Sequence, residues 1–173
     1  MAFTVYIVCV IAMASLVDSD YFSDLSGEED GEFLSKNTKT MLGVDEVNAG
    51  EVLSGNKTRG TGNSKWILIN KGPVRRSKSL PNNYVIETKS NRGFIWALKS
   101  ESCKGINEIE LIKKPEQLRK RHLFYFDNTS KKNTRIYAQQ CNQQCLYIDE
   151  LYEVKFGKNC DSQNNKLFDV ISS

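Results

Sequence analysis

The sequence predicts an all-β fold built from three copies of a four-stranded unit, and three observations support this prediction. Short runs rich in Val, Ile, Phe and Tyr alternate with links rich in Gly, Asn, Ser and Asp, as expected for short strands joined by tight turns. Hardly any stretch of the chain shows sustained helical periodicity. A related pattern also recurs with a period of about 52 residues, since its second-strand residues Leu42, Ile95 and Leu146 lie 53 and 51 positions apart.

The N-terminal segment predicts secretion. Residues 1–17 carry no charge, and small residues and acids surround their end, which is typical of a secretory signal peptide, predicted here at residues 1–19. An uncleaved membrane anchor is the alternative, but a membrane span needs about 20 apolar residues. Residues 20–31 then form a predicted acidic lead, in which the carboxylates at positions 28–30 are expected to belong to a solvated tail.

The first and third copies, residues 32–70 and 135–171, match one another in the same order along the chain. "MLGVDEVNAGEVLSG" aligns with "CLYIDELYEVKFG" across a short gap, so that Asp45 corresponds to Asp149. Both copies then run through Asn, Ser and Lys to an aromatic residue. The order of these matches indicates a repeated unit.

The middle copy, residues 84–127, contains the apolar runs "VI", "FIWAL", "IELI" and "LFYF", with an insertion around "KKPEQLRKRH". Because a unit of about 40 residues cannot bury its apolar face alone, three units are expected to pack around a pseudo-threefold axis and close a barrel. The sequence therefore predicts a β-trefoil domain over residues 32–173. A chance similarity among short β-rich strings is the competing interpretation.

The cysteines fit an oxidising compartment. Removal of the signal peptide would remove Cys9 and leave an even number of cysteines, which indicates disulfide bonds in a secreted chain. Zinc binding through "CNQQC" is a weak rival, because the chain has a single histidine, and we expect neither a metal nor a cofactor. The sequence alone allows three pairings of the remaining cysteines, which are Cys103, Cys141, Cys145 and Cys160.

Two sequons predict surface N-glycosylation in the same compartment. They are Asn-Lys-Thr at Asn56 and Asn-Thr-Ser at Asn128. Such triplets also arise by chance in a chain rich in asparagine, so each remains a hypothesis about a surface site.

The last copy resembles a ricin-type lectin repeat. Cys145-Leu146, then Cys160, an amide-rich turn at residues 162–165 and the aromatic Phe168 match the family's Cys-Leu strand, second cysteine and Gln-x-Trp turn. The chain is similar to divergent secreted members of the ricin B-like group. The resemblance implies a Cys145–Cys160 disulfide within the repeat, and closing this loop would contribute roughly 3 kcal/mol to stability. It leaves Cys103 and Cys141 to form a second bridge or to stay apart.

The resemblance also implies core positions and a sugar site. The family tryptophan, a core residue, corresponds to Trp66, Phe124 and Phe168. In sugar-binding repeats an aspartate two residues after the first cysteine accepts hydrogen bonds from sugar hydroxyls, and an aromatic ring stacks on the sugar. At that aspartate position this chain has Tyr147, Gly43 and Trp96, and in place of the glutamine of Gln-x-Trp it has Lys166, Ser64 and His122.

These departures put an ordinary galactose pocket in doubt. The third repeat nevertheless keeps most of the polar and aromatic groups, so we place the carbohydrate-binding prediction there. For Asp149 the alternative is a turn-capping role, and for the tyrosines it is an ordinary place in a strand. The predicted carbohydrate-binding residues are Asp149, Tyr147, Tyr152, Asn164 and Asn165.

Two basic stretches, Lys71–Ser79 and Lys113–His122, are predicted surface loops. Their cations would suit a sulfated glycan or another polyanion, with binding that weakens as salt rises; solvated loops or processing sites are the alternative. Aromatic residues are not interleaved with these bases, so we expect no nucleic-acid partner. The candidate polyanion-binding residues are Arg75, Arg76, Lys78, Arg119, Lys120 and Arg121.

The chain shows no set of residues typical of a catalytic site, so we do not expect an enzyme. The sequence predicts a secreted, extracellular protein that binds carbohydrate on a glycoprotein or other glycoconjugate and that has no membrane span once the signal peptide is removed. The alternatives are a β-trefoil that binds a protein, for example as a protease inhibitor, and one that binds a polyanion such as a sulfated glycan.

Overall fold

The computed structural model describes residues 27–73, 81–128, 130–158, 160 and 166–172. Its strands are β1 Glu28–Ser35, β2 Met41–Gly43, β3 Ser54–Lys57, β4 Trp66–Pro73, β5 Asn82–Thr88, β6 Phe94–Leu98, β7 Asn107–Lys113, β8 Phe124–Phe126, β9 Ile136–Ala138, β10 Cys145–Ile148, β11 Val154–Gly157 and β12 Phe168–Ile171. Short 3₁₀ turns at Gly62–Ser64 and Lys120–His122 lead into β4 and β8. The predicted signal peptide lies outside the described residues.

Strand pairing repeats three times along the chain. The first strand of each repeat pairs with the second (β1–β2, β5–β6, β9–β10), and the second pairs with the third (β2–β3, β6–β7, β10–β11). The fourth strand pairs with the first strand of the next repeat (β4–β5, β8–β9, β12–β1), and this last pairing closes the barrel. The predicted all-β β-trefoil is therefore confirmed.

The second and third strands of each repeat form a hairpin, and the three hairpins contact one another. Isolated bridges join Val52 to Glu110 and Ser54 to Glu153, and β11 pairs with β7 where Lys155 opposes Glu108. Each hairpin thus touches the other two, so together they cap the barrel.

The strand register corrects one equivalence between repeats. In each repeat the first strand pairs with a core aromatic residue of a fourth strand, and the residue just before that pairing position faces the second strand. These preceding residues are Leu34, Glu87 and Tyr137, and they oppose Met41, Ile95 and Cys145, which are therefore equivalent. Leu42 and Leu146 are therefore matched by Trp96, and the prediction of Ile95 was wrong by one residue. Consequently Ala97, and not Trp96, takes the place of the family aspartate in the second repeat. The "FIWAL" run is buried on both faces of β6, so its apolar pattern could not show which residue faces the barrel interior.

Aromatic rings fill the centre of the barrel. Trp96 lies at their junction, with its ring centroid 5.0 Å from Phe33, 5.1 Å from Trp66 and 5.8 Å from Phe124. Trp66, Phe124 and Phe168 are fully buried, which agrees with the core positions that the resemblance implied.

A second apolar cluster lies on the outer side of the sheet, where Ile95 packs with Ile67, Ile69 and Val85. Leu118 and Leu123, which belong to or border the insertion of the second repeat, pack against this cluster. Most residues of this stretch are exposed, as predicted for a surface loop. Its two leucines are drawn inward because they remove an outward-facing apolar patch from water.

The acidic lead ends earlier than predicted. Residues 28–31 belong to β1 and pair with β4, where Glu28 opposes Ile69 and Gly31 opposes Trp66. Each of the three carboxylates also forms an ion pair with a cation of a neighbouring strand or loop, so a solvated tail was the wrong interpretation for these residues. The ion pairs are Glu28–Arg92, Glu29–Lys131 and Asp30–Lys89.

The described residues include two disulfides. Cys145–Cys160 is the bond that the resemblance implied, with 5.8 Å between the Cα atoms. Cys103–Cys141, with 5.4 Å between the Cα atoms, joins the β6–β7 connection of the second repeat to the turn that precedes β10. Among the described residues there is no helix of sufficient length and hydropathy to cross a bilayer.

Candidate functional site

The aspartate of the third repeat holds a turn. Oδ1 of Asp149 accepts hydrogen bonds from the backbone N–H groups of Leu151 (3.0 Å) and Glu153 (2.9 Å), and Oδ2 accepts one from Nζ of Lys155 (2.8 Å). Burial acts to raise the pKa of Asp149, but the hydrogen bonds from Lys155 and from the backbone outweigh it and hold the pKa below its ordinary value. Asp149 therefore caps the turn, which was the alternative role given for it from the sequence. Its role in sugar binding stays a prediction.

The tyrosines of the third repeat occupy different elements. Tyr147 lies in β10, with its ring edge in the space that a side chain at Gly157 would need and Nζ of Lys166 5.9 Å from its ring centroid. Tyr152 lies in the β10–β11 turn, where its side chain is 44% exposed and its φ is +62°. Asn164 and Asn165 lie outside the described residues.

The first repeat contains a polar groove of about 360 Å³ between the end of β2, strand β3 and the 3₁₀ turn before β4. Its walls carry a carboxylate, an ammonium group, two amides and two hydroxyls. The lining residues are Val44, Asp45, Asn56, Lys57, Thr58, Thr61 and Asn63.

Asn63 holds the groove together at its base. Its backbone oxygen accepts a hydrogen bond from the N–H of Val44 (3.2 Å), and its Nδ2 donates to the backbone oxygen of Asp45 (2.7 Å). The 3₁₀ turn can approach this closely because residue 43 is glycine: a Cβ there would lie 2.6 Å from the Asn63 oxygen. The glycine that replaces the family aspartate therefore helps to shape the groove.

A buried carboxylate supports the loop from below. Oε1 of Glu32, a residue that is 2% exposed, accepts hydrogen bonds from the N–H of Gly60 (2.8 Å) and from Oγ of Ser64 (2.9 Å). Ser64 takes the place of the family glutamine, so this position fixes the loop and does not face the groove. Sequence reasoning missed Glu32, because an acid in β1 gives no local sign of its partners 28 and 32 residues away.

The rim of the groove is charged. Asp45 forms an ion pair with Lys57, and the Asp45 side chain is 77% exposed whereas the Lys57 side chain is 16% exposed. The carboxylate is thus open to a ligand while the lysine stem forms part of the wall. Sequence reasoning identified Asp45 as the counterpart of Asp149 but placed the binding site in the third repeat. The run "NKTRGTGNS", rich in hydroxyl and amide side chains, was the sequence signal that could have indicated a site in the first repeat.

The basic residues of the insertion differ in their surroundings. Arg121 is engaged in the fold, since it donates hydrogen bonds to the Leu98 oxygen and to Nε2 of His122, both at 3.1 Å. Arg119 is an exposed partner of Glu101, and Lys120 is exposed. Arg75, Arg76 and Lys78 lie outside the described residues. In the part of the chain that the structure describes, no three His, Cys, Asp or Glu side chains are grouped to hold a metal ion.

The strand pairing and the aromatic core define a β-trefoil fold. A designed threefold symmetric protein, ThreeFoil, superposes with a TM-score of 0.66 at 10% identity over 83% of this chain and 99% of that one. The Rhizoctonia solani agglutinin gives a TM-score of 0.64 at 16% identity, over 85% and 96% of the two chains. A mosquitocidal holotoxin gives 0.67 at 12% identity over 85% of this chain, which spans 17% of the toxin.

At these identities the likeness shows the fold alone. No family model matches the sequence, and no curated protein was found as a relative.

Proposed function

We propose that this protein is a secreted, non-catalytic carbohydrate-binding protein and that the groove of the first repeat is its binding site. The observation that carries the proposal is a concave site of about 360 Å³, within the range of about 300 to 1,000 Å³ that small-molecule sites occupy. Its polar groups include donors and acceptors in the mixture that a ring of hydroxyl groups requires. The similarity of the fold to that of an agglutinin supports the same proposal.

Each wall has a role in this proposal. The Asp45 carboxylate accepts hydrogen bonds from two ligand hydroxyls, and the ion pair with the neighbouring Lys57 orients it. The amide of Asn56 and the hydroxyl of Thr58 on the facing wall donate and accept. Because none of the described residues that line the groove is aromatic, we expect recognition by hydrogen bonds and weak affinity for a single sugar unit.

The test is a broad glycan array that includes heparin, probed with the wild type and with Asp45→Ala, both produced without N-glycosylation. We expect retention on at least one neutral glycan and a loss of at least tenfold in Asp45→Ala. The matched control is Glu46→Ala, which removes an exposed carboxylate that bonds to Asn48 and does not line the groove. Equal retention by Asp45→Ala, or an equal loss in Glu46→Ala, would remove the groove from the proposal.

A second candidate, protein binding, is supported by the β10–β11 turn. Leu151 is 78% exposed and the adjacent Tyr152 is 44% exposed. Tyr152 has a left-handed backbone, which is costly for a bulky residue, whereas the β2–β3 and β6–β7 connections use Gly50 and Gly105 for such conformations. The hydrogen bonds to Asp149 hold this strained turn rigid, as a protein-binding loop requires.

Inhibition assays on purified secreted proteases test the second candidate. It predicts inhibition of at least one protease by the wild type, with a large loss in Leu151→Ser. Ile106→Ser, which changes a residue 66% exposed in another hairpin, serves as the control. Absence of inhibition across the panel, or inhibition unchanged in Leu151→Ser, counts against this candidate.

A further inference from the structure

We infer that N-glycosylation of Asn56 closes the groove of the first repeat, so that the modification state of one residue controls access of ligands. The inference rests on the proposed function of the groove and adds its regulation. The structural basis is that all three residues of the sequon, Asn56, Lys57 and Thr58, line the groove.

The Asn56 side chain is open to modification. The residue is exposed near the end of β3, and its Oδ1 accepts a hydrogen bond from Oγ of Ser54 (2.8 Å). Its Nδ2, the atom that would carry the glycan, donates to no residue in the described part of the chain. Attachment of a sugar to this nitrogen therefore breaks no contact of the fold.

The second sequon differs in this respect. Nδ2 of Asn128 donates to the backbone oxygen of Lys132 (2.9 Å), while its Oδ1 accepts from the N–H and Oγ of Ser130. A glycan on Asn128 would replace one of the two Nδ2 hydrogens, so that the bond to Lys132 would persist only if the glycan took the place of the other one. We therefore expect higher occupancy at Asn56 than at Asn128.

The chemistry is a transfer from a lipid-linked oligosaccharide. Nδ2 of Asn56 forms a bond to the anomeric carbon of the first sugar, the bond from that carbon to the lipid diphosphate breaks, and the amide loses one proton. The first sugar would then lie beside Thr58 and opposite Asp45, inside the groove. A branched oligosaccharide is far larger than a space of about 360 Å³, so it would fill the groove and cover its rim.

The experiment compares preparations that differ at the sequon. Wild type secreted from glycosylating cells is compared with wild type made in a bacterial periplasm, where Asn56 stays unmodified. The same cells secrete Thr58→Ser, which keeps the sequon and the hydroxyl, and Asn128→Gln, which removes the other sequon. They also secrete wild type in the presence of an inhibitor of lipid-linked oligosaccharide synthesis, which leaves Asn56 unmodified without changing any residue of the groove. Peptide mass spectrometry gives the occupancy of Asn56 and Asn128, and a glycan array gives retention.

We expect modified Asn56 in secreted wild type and in Thr58→Ser, with retention at least tenfold below that of periplasmic wild type. Wild type from the inhibitor-treated cells, with an unmodified Asn56, should recover most of the retention, while Asn128→Gln should change nothing. Unmodified Asn56 in the secreted protein, or equal retention by the modified and unmodified forms, would overturn the inference and leave the proposed function standing. Absence of retention by periplasmic wild type would overturn the proposed function, and the inference with it.

Discussion

His122, the single histidine of the chain, is buried at the position of the family glutamine. Both of its ring nitrogens face donors: the Arg119 N–H lies 3.0 Å from Nδ1 and Nε of Arg121 lies 3.1 Å from Nε2. The neutral ring can accept a hydrogen bond at one of these nitrogens, whereas a protonated ring, with N–H groups on both, can accept at neither. Burial lowers the pKa of His122, and the charges of Arg121 and Arg119 lower it further.

This lowered pKa predicts a pH dependence of stability. Between the folded pKa and the ordinary value of 6.5, the unfolded chain binds a proton that the folded protein does not. The free energy of unfolding should therefore fall as the pH drops through 6.5, and level off below the folded pKa. Urea unfolding of the wild type and of His122→Gln between pH 7.5 and 4.5 measures the effect. Parallel pH profiles for the two proteins would contradict the prediction.

The insertion of the second repeat shows how a charged segment becomes part of a core. Its cations reach solvent or bond to the fold, while Leu118 and Leu123 cover Ile95 and its neighbours on the outer side of the sheet. Because of this cluster, we expect truncation of an outward-facing residue to lower stability as much as truncation of a residue inside the barrel. Ile95→Ala should lower the free energy of unfolding by about 2–4 kcal/mol, because Ile95 is fully buried.

Urea unfolding checks this prediction, with Ile106→Ala as the control. Ile106 is 66% exposed, so its truncation should cost less than about 0.5 kcal/mol. A similar small effect for both variants would mean that the outer cluster contributes little to stability.

At the scale of the whole molecule, the disulfides connect the chain over different distances. Cys145–Cys160 spans 15 residues within one repeat, whereas Cys103–Cys141 spans 38 residues and joins two repeats. The Gln144 side chain strengthens the second connection by donating to the backbone oxygens of Cys103 (3.2 Å) and Gly105 (2.7 Å).

Loop-closure entropy then predicts the order of the two contributions. The longer loop should contribute roughly 4 kcal/mol and the shorter one roughly 3 kcal/mol. The double variant Cys103→Ser/Cys141→Ser should therefore unfold at a lower urea concentration than Cys145→Ser/Cys160→Ser. The opposite order would indicate that local geometry outweighs the entropy of the unfolded chain.

The sequence by itself determined the strands and the threefold repeat, and its resemblance to a ricin-type repeat implied the aromatic core positions and the Cys145–Cys160 bond. The strands and the repeat depend on local patterns, since turn residues and apolar runs act over a few residues or recur in each unit. Burial of Trp66, Phe124 and Phe168 follows from the same repeat.

Only the tertiary structure decided the register of Trp96, the Cys103–Cys141 bond and the position of the groove. It also decided that residues 28–30 pair with β4 and form ion pairs. A shift of one residue exchanges the two faces of a strand, and β6 is apolar on both, so its pattern fits either register. The groove exists because Gly43 lets Asn63 approach and because Glu32 holds the loop beneath it. Contacts of this kind join residues that only the closed barrel brings together, so they cannot be predicted from a local sequence pattern.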